Sequence, residues 1–167
     1  MQAAEKIKKP SKKSGQIEVK IQEIKEQEFF CKEISEELQP NIEDNKVQIG
    51  FGVKFDTDPE QETLSIGFKT AYNCDLNGEK CRLLTYEIKV TFKIGNFNKV
   101  VFPTESNTPR IDENFLISML GVVIGTARGM ILIKTTGHFI NKFYLPIINP
   151  QALFRSLVKS KQGDKSK

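Results

Sequence analysis

Three runs of strict apolar–polar alternation dominate what this chain can fold into. Val47, Ile49, Phe51, Val53 and Phe55 interleave with Gln48, Gly50, Gly52, Lys54 and Asp56. Leu64, Ile66, Phe68, Thr70 and Tyr72 form the second run, and Leu84, Tyr86, Ile88, Val90, Phe92 and Ile94 the third. A period of two sends alternate side chains to opposite faces, so each run predicts a half-buried strand. Asp58-Pro59-Glu60-Gln61 suits a type I turn after the first run. Short connections make the three an antiparallel meander with one wet face.

The second connection sets the register. Asn77-Gly78 favours a two-residue hairpin, which would pair Cys74 with Cys81 and Phe68 with Glu87. That pairing opposes an apolar row to a polar row and splits the sheet against itself. The expectation is therefore a three-residue loop, Leu76-Asn77-Gly78, with Gly78 left-handed. It pairs Phe68 with Tyr86, Ile66 with Ile88 and Leu64 with Val90, and places Cys74 and Cys81 on opposite faces with no disulfide.

Upstream, Ile17, Val19 and Ile21 alternate with polar residues, while Ile24 and Phe29 continue the pattern irregularly. A strand over 17–31 is expected, with a helix as the competing assignment because Ile17, Ile21 and Ile24 also have helical spacing. Downstream, Gly95–Arg110 is irregular and carries an exposed-looking group, Val100-Val101-Phe102. Asp112 is an expected helix N-cap and Gly137 an expected C′ residue, bracketing an apolar helix over Phe115–Thr136. Phe143-Tyr144-Leu145-Pro146 reads as extended. Asn149-Pro150 opens a short helix, with Pro150 in the first turn.

The net positive charge is confined to the ends. The formal net charge is +4, yet residues 1–14 carry five Lys and one Glu, and residues 155–167 carry four Lys, one Arg and one Asp. Residues 15–154 are thus left net acidic, which argues against a basic nucleic-acid surface on the domain. Residues 1–15 and 159–167 read as disordered basic tails around a single domain over 16–158. The uncharged run Phe115–Ala127, ended by Arg128, is short for a bilayer of ~30 Å, so no membrane insertion is expected. Met1-Gln2-Ala3-Ala4-Glu5-Lys6 leads into lysines without an apolar stretch, so no secretory signal is expected. Cys31, Cys74 and Cys81 lack C-x-x-C spacing, so reduced thiols in a cytoplasmic protein are expected.

Catalytic chemistry finds no support. His138 is the sole histidine and suits a cap or surface role. Paired-histidine zinc sites are excluded, the cysteines lack ligand spacing, and no phosphate-binding glycine loop occurs. Asp56, Asp58, Glu60 and Glu62 alternate in a turn without the glycine and terminal glutamate of a calcium loop. No catalytic residue, metal or cofactor is expected, and the protein is not expected to be an enzyme.

The element order of strand, meander, irregular crossover, long helix, extended segment and short helix resembles the bacterial export chaperone SecB. Val19-Lys20-Ile21-Gln22-Glu23-Ile24 looks like that family's first strand with its I-Q-x-I core. Ala127-Arg128, Leu145, Asn149 and Ala152-Leu153-Phe154 match the family's A-R, L, N and A-L-F without a gap. The similarity runs over roughly 19–158. It implies an α+β fold with a four-stranded antiparallel sheet, one long helix and a short C-terminal helix. It also implies a dimer of dimers that binds unfolded preproteins in apolar grooves without ATP and passes them to SecA. Some members hold an unstable antitoxin instead. One departure bears on partners. Thr85 stands where the family has a strand glutamate, and Lys54, Lys69, Lys89 and Lys93 populate the wet face, which puts delivery to SecA in doubt.

On this reading the candidate client-binding residues are Val101, Phe102, Phe139, Phe143, Tyr144, Ile147 and Phe154. Apolar contact plus backbone pairing would give broad specificity. Gly121, Gly125 and Gly129 form a narrow helical stripe, each costing about 0.8–1 kcal/mol relative to Ala. The resemblance places that helix between two dimers, so the stripe is the expected oligomer interface. Two other readings are a nucleic-acid-associated module using the lysine tails and a carrier of an apolar ligand. The first lacks the aromatic-plus-basic strand face of common single-strand binders.

Overall fold

A computed structural model describes residues 16–163 apart from 44–45, 77 and 105–108, with side chains described as far as residue 157. The expected tail over 1–15 lies outside the described residues. Four strands, β1 (Glu18–Cys31), β2 (Gln48–Asp58), β3 (Thr63–Leu76) and β4 (Glu79–Gly95), form one antiparallel sheet in the order β1-β4-β3-β2. A two-residue pair follows, β5 (Val101–Phe102) with β6 (Arg110–Ile111). Helix α1 (Glu113–Lys134) and helix α2 (Pro150–Gly163) complete the fold. The expected class, a four-stranded sheet with one long and one C-terminal helix, is the observed one. Helix α2 runs on to Gly163, past the domain end expected at 158.

The core lies between one sheet face and α1. Leu64, Ile66, Phe68, Tyr72, Tyr86, Ile88, Val90 and Ile94 are fully buried there, with Leu116, Leu120, Val123, Ile124, Ala127 and Ile131 of the helix above them. Asp112 caps α1 by accepting from the Phe115 amide at 2.8 Å, which satisfies one of the first-turn donors. Gly137 is left-handed, at φ +85°, two residues past the C-cap Thr135 rather than directly after it.

The meander register differs from the expected one. Leu76 pairs with Glu79 and Cys74 with Cys81, so the two-residue turn forms after all. Its geometry is supported by Gly78, at φ +85°, whose amide donates to Asp75 Oδ1 at 2.7 Å. The face conflict is removed elsewhere. Tyr72 pairs with Leu84 while Asn73 pairs with Arg82, leaving Leu83 as an extra residue. This bulge shifts the register by one, so Phe68 meets Ile88, Ile66 meets Val90 and Leu64 meets Phe92. An inserted residue satisfies both the turn and the core.

Two further bulges explain the irregular spacing in β1. Opposed residues share a face, and Val19, Ile21, Ile24 and Phe29 oppose Ile94, Phe92, Val90 and Tyr86. Gln22 and Gln27 are the extra residues that keep them on the inner face. The helical alternative for this segment is thereby set aside.

Helix α1 is 22 residues long and, by length and composition, long and apolar enough to cross a membrane. It runs through Arg128, as the expected helix over Phe115–Thr136 does, and the guanidinium turns aside to main-chain carbonyls of the following segment. Leu132 and Ile133 are turned away from the sheet and remain 45% and 72% exposed. Ala127 and Ile131 pack there instead.

Candidate functional site: an apolar cleft beside an extended strap

After α1, a short turn leads into residues 144–149, which adopt no regular secondary structure. Two side chains hold this strap and the turn before it to the helix. Asn141 Nδ2 donates to the Leu132 carbonyl at 2.8 Å and to Thr135 Oγ1 at 2.9 Å, satisfying a carbonyl that the helix end leaves unpaired. Arg128 Nε donates to the Leu145 carbonyl at 3.1 Å, and Arg128 Nη2 to the Pro146 carbonyl at 2.7 Å.

Phe143 and Leu145 turn inward and are buried, whereas Tyr144 and Ile147 are 68% and 96% exposed. Between strap and helix lies a cleft of about 290 Å³, walled chiefly by Ile131, Leu132, Phe143, Tyr144, Leu145 and Ile147. Arg128, Thr135 and Asn141 supply its few polar groups. No main-chain hydrogen bond among the described residues is donated by the amides of Tyr144, Leu145, Ile147 or Ile148. An apolar trough therefore runs beside an irregular segment whose amides make no main-chain hydrogen bond among the described residues.

Of the expected client-binding residues, Phe143, Tyr144 and Ile147 meet in this cleft. Phe139 stands behind them, edge-on to Phe143 at 5.7 Å, with the Lys142 ammonium over both rings at 4.1 and 4.8 Å. Phe154 is elsewhere, half-buried and edge-on to Phe55 at 6.3 Å. Val101 does not join any exposed group. Together with Val100 it is buried, because β5 pairs it with Ile111 and folds it onto the core, leaving only Phe102 outside. Arg128, Ile131, Leu132, Thr135, Asn141 and Leu145 were not anticipated as cleft residues. The helical spacing of Arg128, Ile131, Leu132 and Thr135 is the one signal that joins them.

The glycine stripe points away from the sheet. A Cβ at Gly125 or Gly129 would meet nothing within 4 Å, and one at Gly121 would touch Pro150 Cγ at 3.5 Å. Val122 beside it is 42% exposed.

The outer sheet face carries paired charges. Lys69 Nζ contacts Glu28 at 2.5 Å and Glu87 at 3.1 Å. Lys93 Nζ donates to the Gln61 carbonyl at 2.6 Å and reaches Glu62 at 3.2 Å. His138 is exposed. Among the described residues, no group of three or more His, Cys, Asp or Glu is placed to hold a metal ion.

No protein-family model matches this chain. No curated protein matches it either. Among solved structures, a SecB-like chaperone of Mycobacterium tuberculosis, in complex with a ChAD peptide from an antitoxin, is similar to it. That similarity covers 78% of this chain and 87% of the other, with 9% sequence identity and a TM-score of 0.44.

Proposed function

We propose that the protein is an ATP-independent holdase that binds unfolded or extended polypeptide segments in the cleft between α1 and the 144–149 strap. The observation that carries this reading is the pairing of an apolar trough with an irregular backbone segment whose amides have no main-chain partner among the described residues. Apolar burial supplies affinity without reading sequence, and strand-like pairing fits any chain lacking proline at the paired positions. The motif resemblance over 19–158 supports the same reading. Its clients are unfolded preproteins or an unstable antitoxin, held in the cytoplasm by a homotetramer without a cofactor. The exposed, glycine-lined face of α1 is the proposed contact between dimers.

Hand-over to SecA is not part of the proposal. The outer face presents mixed charges engaged with one another, not an acidic stripe.

Aggregation of a denatured model protein, followed by light scattering without nucleotide, tests the holdase. Suppression is expected at stoichiometric chain, and its absence at several-fold excess overturns the reading. Tyr144→Ser combined with Ile147→Ser should abolish suppression without loss of fold, since both side chains are largely outside the core.

A further inference from the structure

The observed register creates a site that the expected one would have excluded. Cys74 on β3 and Cys81 on β4 are directly opposed. Opposed residues of an antiparallel pair have Cα atoms ~4.5–5.5 Å apart, within the ~4.4–6.8 Å that a disulfide spans. Both thiols are free. The Lys32 ammonium, just beyond the end of β1, donates to Cys81 Sγ at 3.1 Å. Lys32 is itself fixed by its amide, which donates to the Leu83 carbonyl at 2.8 Å. Cys81 opens onto a broad surface cleft lined by Phe30, Lys32, Leu38, Leu76, Lys80 and Arg82, among others. Cys74, by contrast, is 5% exposed.

We propose that Cys81 is a peroxide-oxidisable thiol and Cys74 its resolving partner, the two closing reversibly into a cross-strand disulfide. The Lys32 ammonium, in contact with the sulfur, is placed to steer a peroxide to it and to stabilise the negative charge of the departing oxygen. The co-reactant is a hydroperoxide. The Cys81 sulfur attacks the terminal oxygen and the O–O bond breaks. The departing hydroxide or alkoxide takes the proton that Cys81 released, leaving a sulfenic acid. The Cys74 sulfur then attacks Cys81 Sγ, the S–O bond breaks, and water leaves with the Cys74 proton. Two electrons pass from the pair of sulfurs to the hydroperoxide.

The division of roles follows from access. Burial pushes the Cys74 thiol up, with Cys81 adding to that, which suits a group that reacts second and only with its neighbour. Cys31 is also raised, by burial and then by Glu33, and it opposes Leu84 rather than either cysteine. It stays outside the reaction.

The test is hydrogen peroxide titration of the full-length folded chain, read by thiol counting and peptide mapping. One equivalent should remove two thiols, restored by a dithiol reductant, with the bridge mapped to Cys74–Cys81. Cys74→Ser should leave a sulfenic acid at Cys81 that a cyclic 1,3-diketone traps. Should that variant fold poorly, Cys74→Ala reads the same. Lys32→Met should slow oxidation on the order of tenfold. A bridge involving Cys31, or a Cys81→Ser chain that consumes peroxide at the wild-type rate, overturns the proposal.

Discussion

Arg128 of helix α1 holds the carbonyl of Pro146, 18 residues later, at 2.7 Å, and its Nε holds the preceding carbonyl of Leu145. A planar fork that bridges two successive carbonyls orients the strap as well as tethering it. With Leu145 pinned and buried, Tyr144 and Ile147 are left on the outside at the rim of the cleft.

Arg128→Met should therefore cost about 1–2 kcal/mol, less than the usual worth of two charge-assisted bonds because one of them is solvent-accessible. A lower urea midpoint at unchanged slope would show it. Amide exchange near Leu145–Ile148 should quicken, and aggregation suppression should fall. Arg128→Lys should not restore either, since one ammonium cannot reproduce the fork. Normal client holding by both variants would show that strap geometry is irrelevant to binding.

Tyr72 is fully buried, and its hydroxyl has no hydrogen-bond partner among the described residues. Tyr72→Phe removes a desolvated oxygen and keeps the ring. Stability at neutral pH should hold or rise, by up to about 1 kcal/mol. A loss above that in chemical denaturation would reveal a polar contact to the hydroxyl.

The same burial gives an alkaline prediction. Burial pushes Tyr72 and Tyr86 up to about 12, with Glu26 adding to the shift at Tyr86. An unfolded tyrosine ionises near pH ~10. The folded state thus favours the neutral phenol, its contribution is intact below pH ~10, and it is lost as pH rises towards 12. Circular dichroism should show unfolding that begins in this window and shifts upward in Tyr72→Phe. Ionisation of every tyrosine near pH 10 in a still-folded chain would contradict it.

Leu83 is the extra residue of the bulge that reconciles the two-residue turn with the apolar rows. Deleting it brings Leu84 directly after Arg82, so the ladder runs unbroken from the turn to the Phe68–Ile88 and Leu64–Phe92 pairs and no side chain changes face. The deletion should still unfold cooperatively, at a cost of about 2–5 kcal/mol for the lost buried side chain, close to that of Leu83→Ala. Loss of cooperative unfolding in the deletion variant would show that the bulge itself is required for the sheet.

At Gly125 a new side chain meets open space within the protomer. Gly125→Leu should leave the fold intact while shifting the proposed tetramer to a dimer in light scattering. An unchanged tetramer would remove the stripe from the interface, and unfolding would place it against a surface of its own protomer.

Local sequence determined the identity of β2, β3 and β4, the cap at Asp112 and the first-turn position of Pro150. Each depends on periodicity or on a backbone donor within a few residues, so the information is contiguous. Tertiary structure alone decided how competing local preferences were reconciled. Asn77-Gly78 and the apolar rows disagree by one residue, and only the assembled sheet shows the extra residue inserted at Leu83. Likewise Ile24 and Phe29 join the inner face through bulges at Gln22 and Gln27, which no simple period of two contains. The cleft was legible in part. Phe143, Tyr144 and Ile147 stand out as apolar residues in an extended segment, but their arrangement depends on Arg128 and Asn141 binding main-chain carbonyls. A carbonyl belongs to every residue and leaves no mark in the sequence, so which one an arginine will find is settled only when helix and strap are packed together.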